Sequence, residues 1–115
     1  MAFNDLETQR IKNTVEAIFM AQRPPESVRD QVDFDYRLEG QSLFLYEVRP
    51  HWQDKNQILD TPVAKLTYVK SKKAWKLYWM RQDLKWHSYD PLAEHKNLDA
   101  LLNEVVEDPN GCFFG

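Results

Sequence analysis

Apolar residues recur with a helical period at both ends of the chain. Near the N-terminus, the apolar positions that fall on one helix face are Ile11, Val15, Ile18 and Phe19. Asn4 can cap this helix, and Glu7 three residues later completes a capping box. The prolines that follow Arg23 end it, because a residue before proline is disfavoured in the helical region.

The second helical pattern lies near the C-terminus and is the more regular of the two. Its apolar stripe consists of Leu98, Leu101, Leu102, Val105 and Val106. Asn97 stands at the capping position, and the stretch 108–111 contains the proline and glycine typical of a helix end. A short helical turn is also expected over residues 25–30.

Residues 33–49 change to a period of two and predict a β-hairpin with its turn at 39–42. Two registers compete. A two-residue Gly40-Gln41 turn would set Phe34 opposite Glu47, an apolar residue against a charged one. A three-residue turn would place Phe34 and Phe44 on one face, so we expect that register.

A second hairpin is predicted from residues 63–70 and 74–81, after a polar connection over 51–62. A two-residue or a four-residue loop gives the same expected pairs, among them Leu66 with Trp79 and Thr67 with Tyr78. The Leu66 face, which also carries Trp75, is expected to be core, and the Thr67 face half-exposed. A last strand is expected over 84–89.

The element order is therefore helix, five antiparallel strands, helix. Two amphipathic helices must cover one face of the sheet, which predicts an α+β two-layer sandwich with its other face open. With 115 residues, 43% of them hydrophobic, residues 1–115 are expected to form a single domain.

Composition restricts the class of protein further. No apolar run approaches the roughly 20 residues of a membrane span, and residues 1–5 lack the start of a secretory signal. The single cysteine, Cys112, cannot form an internal disulfide. The sequence around Cys112 and the spacing of the three histidines predict neither a metal site nor a cofactor. A cytoplasmic location is expected.

The net charge of −3 conceals a strong asymmetry. Residues 63–89 contain seven basic residues, one acidic residue and six aromatic residues, whereas both flanking segments are acidic. Single-stranded nucleic acids are bound by cations along the backbone and by rings that stack on bases. The sequence thus predicts a nucleic-acid surface on the second hairpin and the strand after it, although a solvated face with a lysine-rich turn has the same pattern.

The candidate residues follow from that pattern. The cations expected to meet phosphates are Lys65, Lys72, Lys73, Lys76, Arg81 and Lys85, and the rings expected to stack are Tyr78 and Tyr89. No RNA-binding consensus motif or zinc-finger spacing accompanies them.

Two other functions remain open. A protein-interaction module could anchor a partner with Trp52, Phe113 or Phe114, or could form a homodimer through the open sheet face. A metal-dependent nuclease could use Asp33, Asp35 and Glu47, which resemble in order the carboxylates of PD-(D/E)XK nucleases.

The nuclease pattern is incomplete. Arg49 replaces the expected lysine and cannot act as a base, although Lys65 could substitute for it. The crossover helix of such nucleases is also missing. The alternative is ordinary cross-strand ion pairing, for example between Asp33 and Arg49.

Longer stretches of the chain resemble a bacterial family catalogued as domain of unknown function 3024. The resemblance is carried by residues 23–25, 39–42, 47–52, 62–69, 77–87 and 111–115, and it extends over essentially the whole chain. It implies a free-standing bacterial cytoplasmic protein of this size, and it implies no particular activity or catalytic residue.

Overall fold

The computed structural model describes residues 3–50, 53–54 and 57–114. Its helices are α1 (Asp5–Ile18) and α2 (Leu98–Glu107). Its strands are β1 (Asp33–Glu39), β2 (Ser42–Pro50), β3 (Ile58–Val69), β4 (Ala74–Met80), β5 (Trp86–Ser88) and β6 (Glu94–His95). Short 3₁₀ turns cover Met20–Gln22, Glu26–Val28 and Asp90–Leu92.

The strands form one antiparallel sheet in the order β1-β2-β3-β4-β5, and β6 pairs with the same edge of β4 as β5 does. Both helices pack on one face, where the core includes Val15, Leu66, Leu77 and Leu101, each fully buried. This confirms the predicted α+β arrangement of two helices on an antiparallel sheet. We call the opposite side, which carries Lys65, the open face.

Helix α1 begins with the predicted capping box. The side chain of Asn4 accepts a hydrogen bond from the Glu7 amide at 2.8 Å, and Glu7 Oε1 accepts one from the Asn4 amide at 3.0 Å. These bonds satisfy backbone donors that the first turn leaves free. The helix is thereby fixed so that Ile11 and Phe19 face the core.

Helix α2 ends at Asp108, which adopts a left-handed conformation with φ of 44°. The Asp108 carboxylate accepts the backbone N–H groups of Phe113 at 3.0 Å and Phe114 at 2.8 Å. The chain is thus turned back onto the core. Asn97 does occupy the N-cap position of α2, but its side chain makes no capping hydrogen bond.

The expected register of the first hairpin is wrong. The turn has two residues, Gly40 and Gln41, so that Phe34 does pair with Glu47. Gly40 adopts φ of +58°, which glycine reaches without steric cost and which a tight hairpin turn requires. This register places Phe34, Tyr36 and Leu38 on the same face as the fully buried Leu43 and Leu45, so that all five pack on the core. Their burial outweighs the unfavourable pair at the hairpin's far end.

The second hairpin is displaced by two residues from the expected register. Leu66 pairs with Leu77 and not with Trp79, because the turn comprises residues 70–73 with Lys73 at φ of 51°. A shift of two residues preserves the side of the sheet to which each side chain points. The predicted assignment of core and open faces therefore holds for this hairpin, and Trp75 is buried.

Strand boundaries differ from expectation at two places. Strand β3 begins at Ile58, inside the segment expected to be a connection, and β5 is shorter than the expected 84–89 strand. The two-residue strand β6 was not predicted. In the described ranges, neither helix has the length and apolar character needed to cross a membrane.

Candidate nucleic-acid interface

The open face carries a group of aromatic side chains around one lysine. Phe44 on β2, Lys65 on β3 and Tyr78 on β4 are direct cross-strand partners, so their side chains point to the same side of the sheet. Trp86 on β5 joins them, because it pairs with Met80, which lies two residues from Tyr78 on the same strand. We call Phe44, Lys65, Tyr78 and Trp86 the open-face cluster.

The ammonium group of Lys65 lies between two rings of this cluster. Its Nζ atom is 5.8 Å from the ring centroid of Phe44 and 5.5 Å from that of Tyr78. Attraction between a cation and a ring face operates within about 6 Å. The two rings thus favour a position of the Lys65 ammonium group between them on the open face.

Trp86 reaches across the sheet toward Phe44. Their ring centroids are 6.2 Å apart, although β2 and β5 are three strands apart, or about 14 Å on a flat sheet. The two side chains must therefore lean toward each other over the strands between them. All four members of the cluster remain half-exposed, so the rings are accessible at the surface.

Tyr46 and Arg37 extend the aromatic surface toward the edge of the sheet. The Arg37 guanidinium lies 4.6 Å from the Tyr46 ring centroid and is paired with Asp60. The hydrogen bond to Asp60 raises the pKa of Arg37 further above its usual range. Because the Arg37 guanidinium already contacts the Tyr46 ring and is paired with Asp60, it is less available to a phosphate than the lysines are.

The structure brings some of the predicted lysines together. Lys76 points to the open face beside Thr67, its cross-strand partner, and Lys72 and Lys73 lie exposed in the turn at the end of this hairpin. Lys72 Nζ is 3.5 Å from the carboxylate of Glu94 on β6. One acidic side chain thus partly offsets the positive charge at this end of the face.

The other two predicted cations lie in the connection between β4 and β5. Arg81 packs over the ring of Trp79 at 5.5 Å, and Trp79 belongs to the helix-covered face. Lys85 is exposed just before β5. Arg81 is therefore separated from the open-face cluster, because its guanidinium contacts a ring on the other side of the sheet.

The expectation that Tyr89 stacks on a base is wrong. Its side chain is fully buried, its ring centroid is 4.9 Å from that of Phe113, and its hydroxyl donates to Glu104 at 2.7 Å. Asn110 donates to the same hydroxyl at 2.9 Å. Burial, reinforced by the Glu104 hydrogen bond, raises the pKa of Tyr89. The residue follows β5 after its last pair and turns into the core.

The two phenylalanines offered as anchors for a protein partner differ in their exposure. Phe113 is 8% exposed and belongs to the core, so it cannot bind a partner without leaving the fold. Phe114 is 37% exposed, and its ring lies 5.6 Å from that of Phe34. Trp52 lies outside the described residues.

The carboxylates of the nuclease hypothesis do not converge. Asp35 pairs with Tyr46 and therefore points to the open face, whereas Glu47, the next residue on β2, points to the other side. Asp33 forms a bidentate pair with Arg23 at 2.7 and 2.6 Å, and Glu47 pairs with Arg49. The expected ion pair between Asp33 and Arg49 is wrong, because each of the two side chains pairs with another residue. Within the described ranges, no three metal-binding side chains form a cluster.

Sequence reasoning missed Phe44, Tyr46, Trp86 and Glu94 as members or neighbours of the interface. Phe44 and Tyr46 would have been found with the correct turn, because a two-residue Gly40-Gln41 loop fixes their side of the sheet relative to β1. Glu94 lies on a two-residue strand that carries no periodic signal.

Comparison with known proteins identifies the family. The family model described as Domain of unknown function (DUF3024) matches residues 3–115, and the chain therefore belongs to this family. This confirms the resemblance carried by the sequence stretches. The searches of curated proteins and of solved structures gave no match.

Proposed function

We propose that this member of the DUF3024 family binds single-stranded nucleic acid on its open face and does not catalyse a reaction. The observation that supports this most strongly is the open-face cluster, in which half-exposed rings surround a lysine ammonium group. Rings offer stacking surfaces for bases, and an ammonium beside them meets the phosphate between two bases.

The charges around the cluster favour the same ligand. Lys76 stands on the same face, and Lys72 and Lys73 extend the positive charge beyond the end of the hairpin. Lysines in a row along one direction suit a strand whose charges repeat at regular intervals. The strand would run from Trp86 and Phe44 toward the hairpin turn.

A single strand fits better than a duplex. Bases in a duplex are stacked on each other and cannot lie on protein rings, whereas unpaired bases can. Each base stacked on an aromatic residue contributes about 1–3 kcal/mol. The rings of the cluster would contribute nothing to duplex binding, which leaves only the modest charge of the lysines.

Fluorescence anisotropy tests this proposal with labelled single-stranded RNA, single-stranded DNA and duplex DNA, each titrated from low to physiological salt. We expect saturable binding of the single strands that weakens steeply with salt. Lys72→Glu/Lys73→Glu should abolish it, and Tyr78→Ala should weaken it. The control is Arg10→Glu/Lys12→Glu, which changes the net charge equally on α1. Absence of binding at low salt would overturn the proposal.

Self-association is a second candidate for the same face. Val69 and Met80 lie there together with Tyr78, all half-exposed, and the helices cover the other side. Apolar side chains on an uncovered sheet face can pair with a second copy. Light scattering coupled to size exclusion tests this: a dimer that Met80→Glu converts to a monomer would support it, and a wild-type monomer would reject it.

A further inference from the structure

A small cleft lies on the helix-covered side of the sheet, opposite the open face. It has a volume of about 200 Å³ and opens between the N-terminal half of α1 and the second hairpin. Ile11 and Leu98, both buried, contribute apolar side chains from the two helices. The cleft is thus an open depression whose floor borders the hydrophobic core, and it lies on the other side of the sheet from the proposed nucleic-acid surface.

Aromatic rings form the other wall. The ring centroid of Trp75 lies 5.6 Å from that of Phe3 in a stacked arrangement and 5.3 Å from that of Tyr68 in a tilted one. Trp75 is only 7% exposed. Rings packed against each other in this way have little freedom, so the wall keeps its shape when a ligand enters.

One cation lines this apolar cleft without a partner of its own. In the part of the chain that the structure describes, the guanidinium of Arg10 makes no ion pair or hydrogen bond. Glu7 also lines the cleft, but its Oε1 atom accepts the Asn4 amide in the capping box. The Thr14 hydroxyl donates to the backbone carbonyl of Arg10. The free hydrogen-bond donors of the cleft therefore belong chiefly to Arg10.

Size and charge together restrict the ligand. An apolar cavity of about 150 Å³ holds one benzene molecule, so a cleft of about 200 Å³ accepts a single aromatic ring with a short substituent. Guanidinium groups bind carboxylates through two parallel hydrogen bonds. We propose that the cleft binds a small aromatic carboxylate, with its ring against Trp75 and its carboxylate on Arg10.

Titration with phenylacetate, followed by two-dimensional NMR of the ¹⁵N-labelled protein, tests this site. Phenylacetamide is the matched neutral probe, because it keeps the ring and loses the charge. We expect saturable phenylacetate shifts at the amides of Ile11 and Leu98 and at the Trp75 indole N–H. Phenylacetamide should bind about tenfold more weakly, which is the contribution of one charge-assisted interaction.

Two variants separate the site from general anion binding. Arg10→Gln should lower phenylacetate affinity to that of phenylacetamide and leave the amide's affinity unchanged. Lys12→Gln removes the same charge from a position of α1 that does not line the cleft, and it should leave both affinities unchanged. Absence of saturable shifts at the three cleft residues would overturn the proposal. So would equal affinity for the two probes, or an equal loss in the two variants.

Discussion

Arg23 and Asp33 connect the end of the first helical region to the edge strand β1 through two parallel hydrogen bonds, at 2.7 and 2.6 Å. The hydrogen bonds from Arg23 lower the pKa of Asp33, although partial burial acts in the opposite direction. A lowered carboxyl pKa in the folded state means that folding favours the ionised form. The pair therefore stabilises the fold above the pKa of an unfolded Asp, about 3.9, and ceases to do so as the pH falls through the folded value.

This gives a pH-dependent prediction for Asp33→Asn. The variant should have a lower free energy of unfolding than the wild type at pH 7, and the deficit should shrink as the pH falls below about 4. Urea denaturation at a series of pH values measures it. In an Arg23→Gln background, Asp33→Asn should lose most of this pH dependence. A deficit that stays constant down to pH 2 would contradict the assignment.

At the scale of elements, the turn of the first hairpin decides which β1 residues lie on the open face. Side-chain alternation correctly predicted both strands, but it could not place one strand against the other, because either register gives a regular pattern. The sequence-based choice of register rested on a single pair near the hairpin's end, Phe34 opposite Glu47. The register is decided by the packing of the apolar side chains of β1 beside Leu43 and Leu45 under the two helices, which is a property of the assembled core.

Gly40 is the residue on which this register depends most directly. A Cβ atom at Gly40 would meet no atom within 4 Å, so Gly40→Ala costs only the strain of φ at +58°. We expect a loss of about 1 kcal/mol in the free energy of unfolding, measured by urea denaturation. Gly40→Asn should lose less, because asparagine tolerates this region better. Equal losses in the two variants would contradict a conformational origin.

The C-terminal segment after α2 packs on the core through Phe113, although the sequence offered its two phenylalanines as anchors for a partner. Phe113→Ala should lower the free energy of unfolding by about 3 kcal/mol, because it removes a buried ring that contacts Tyr89. Phe114→Ala should cost less than about 1 kcal/mol, since its ring is 37% exposed. Chemical denaturation of both variants gives the comparison. Similar losses would show that the two rings are buried to a similar extent.

At the scale of the whole molecule, the acidic excess lies outside the basic hairpin, so the charge that a nucleic acid meets differs from the net charge of −3. The charge segregation was predictable from the sequence, because six of the nine lysines fall within residues 63–89. The pairing of Lys72 with Glu94, which offsets part of this charge, was not predictable, because Glu94 comes from a strand with no pattern of its own and reaches Lys72 only in the folded sheet.

Glu94 therefore provides a test of the proposed interface by gain of affinity. The Glu94→Gln variant removes this charge and frees Lys72. It should bind single-stranded RNA or DNA severalfold more tightly than the wild type at low salt. The gain should be smaller at physiological salt, where charges are screened within about 8 Å. If about four lysines meet phosphates, the slope of log affinity against log salt should be about −3, and steeper by about 0.7 in the variant. Glu107→Gln, which removes an exposed charge at the end of α2, is the matched control and should change neither quantity. An equal gain in both variants would mean that net charge alone governs binding, and that the strand does not lie beside Lys72.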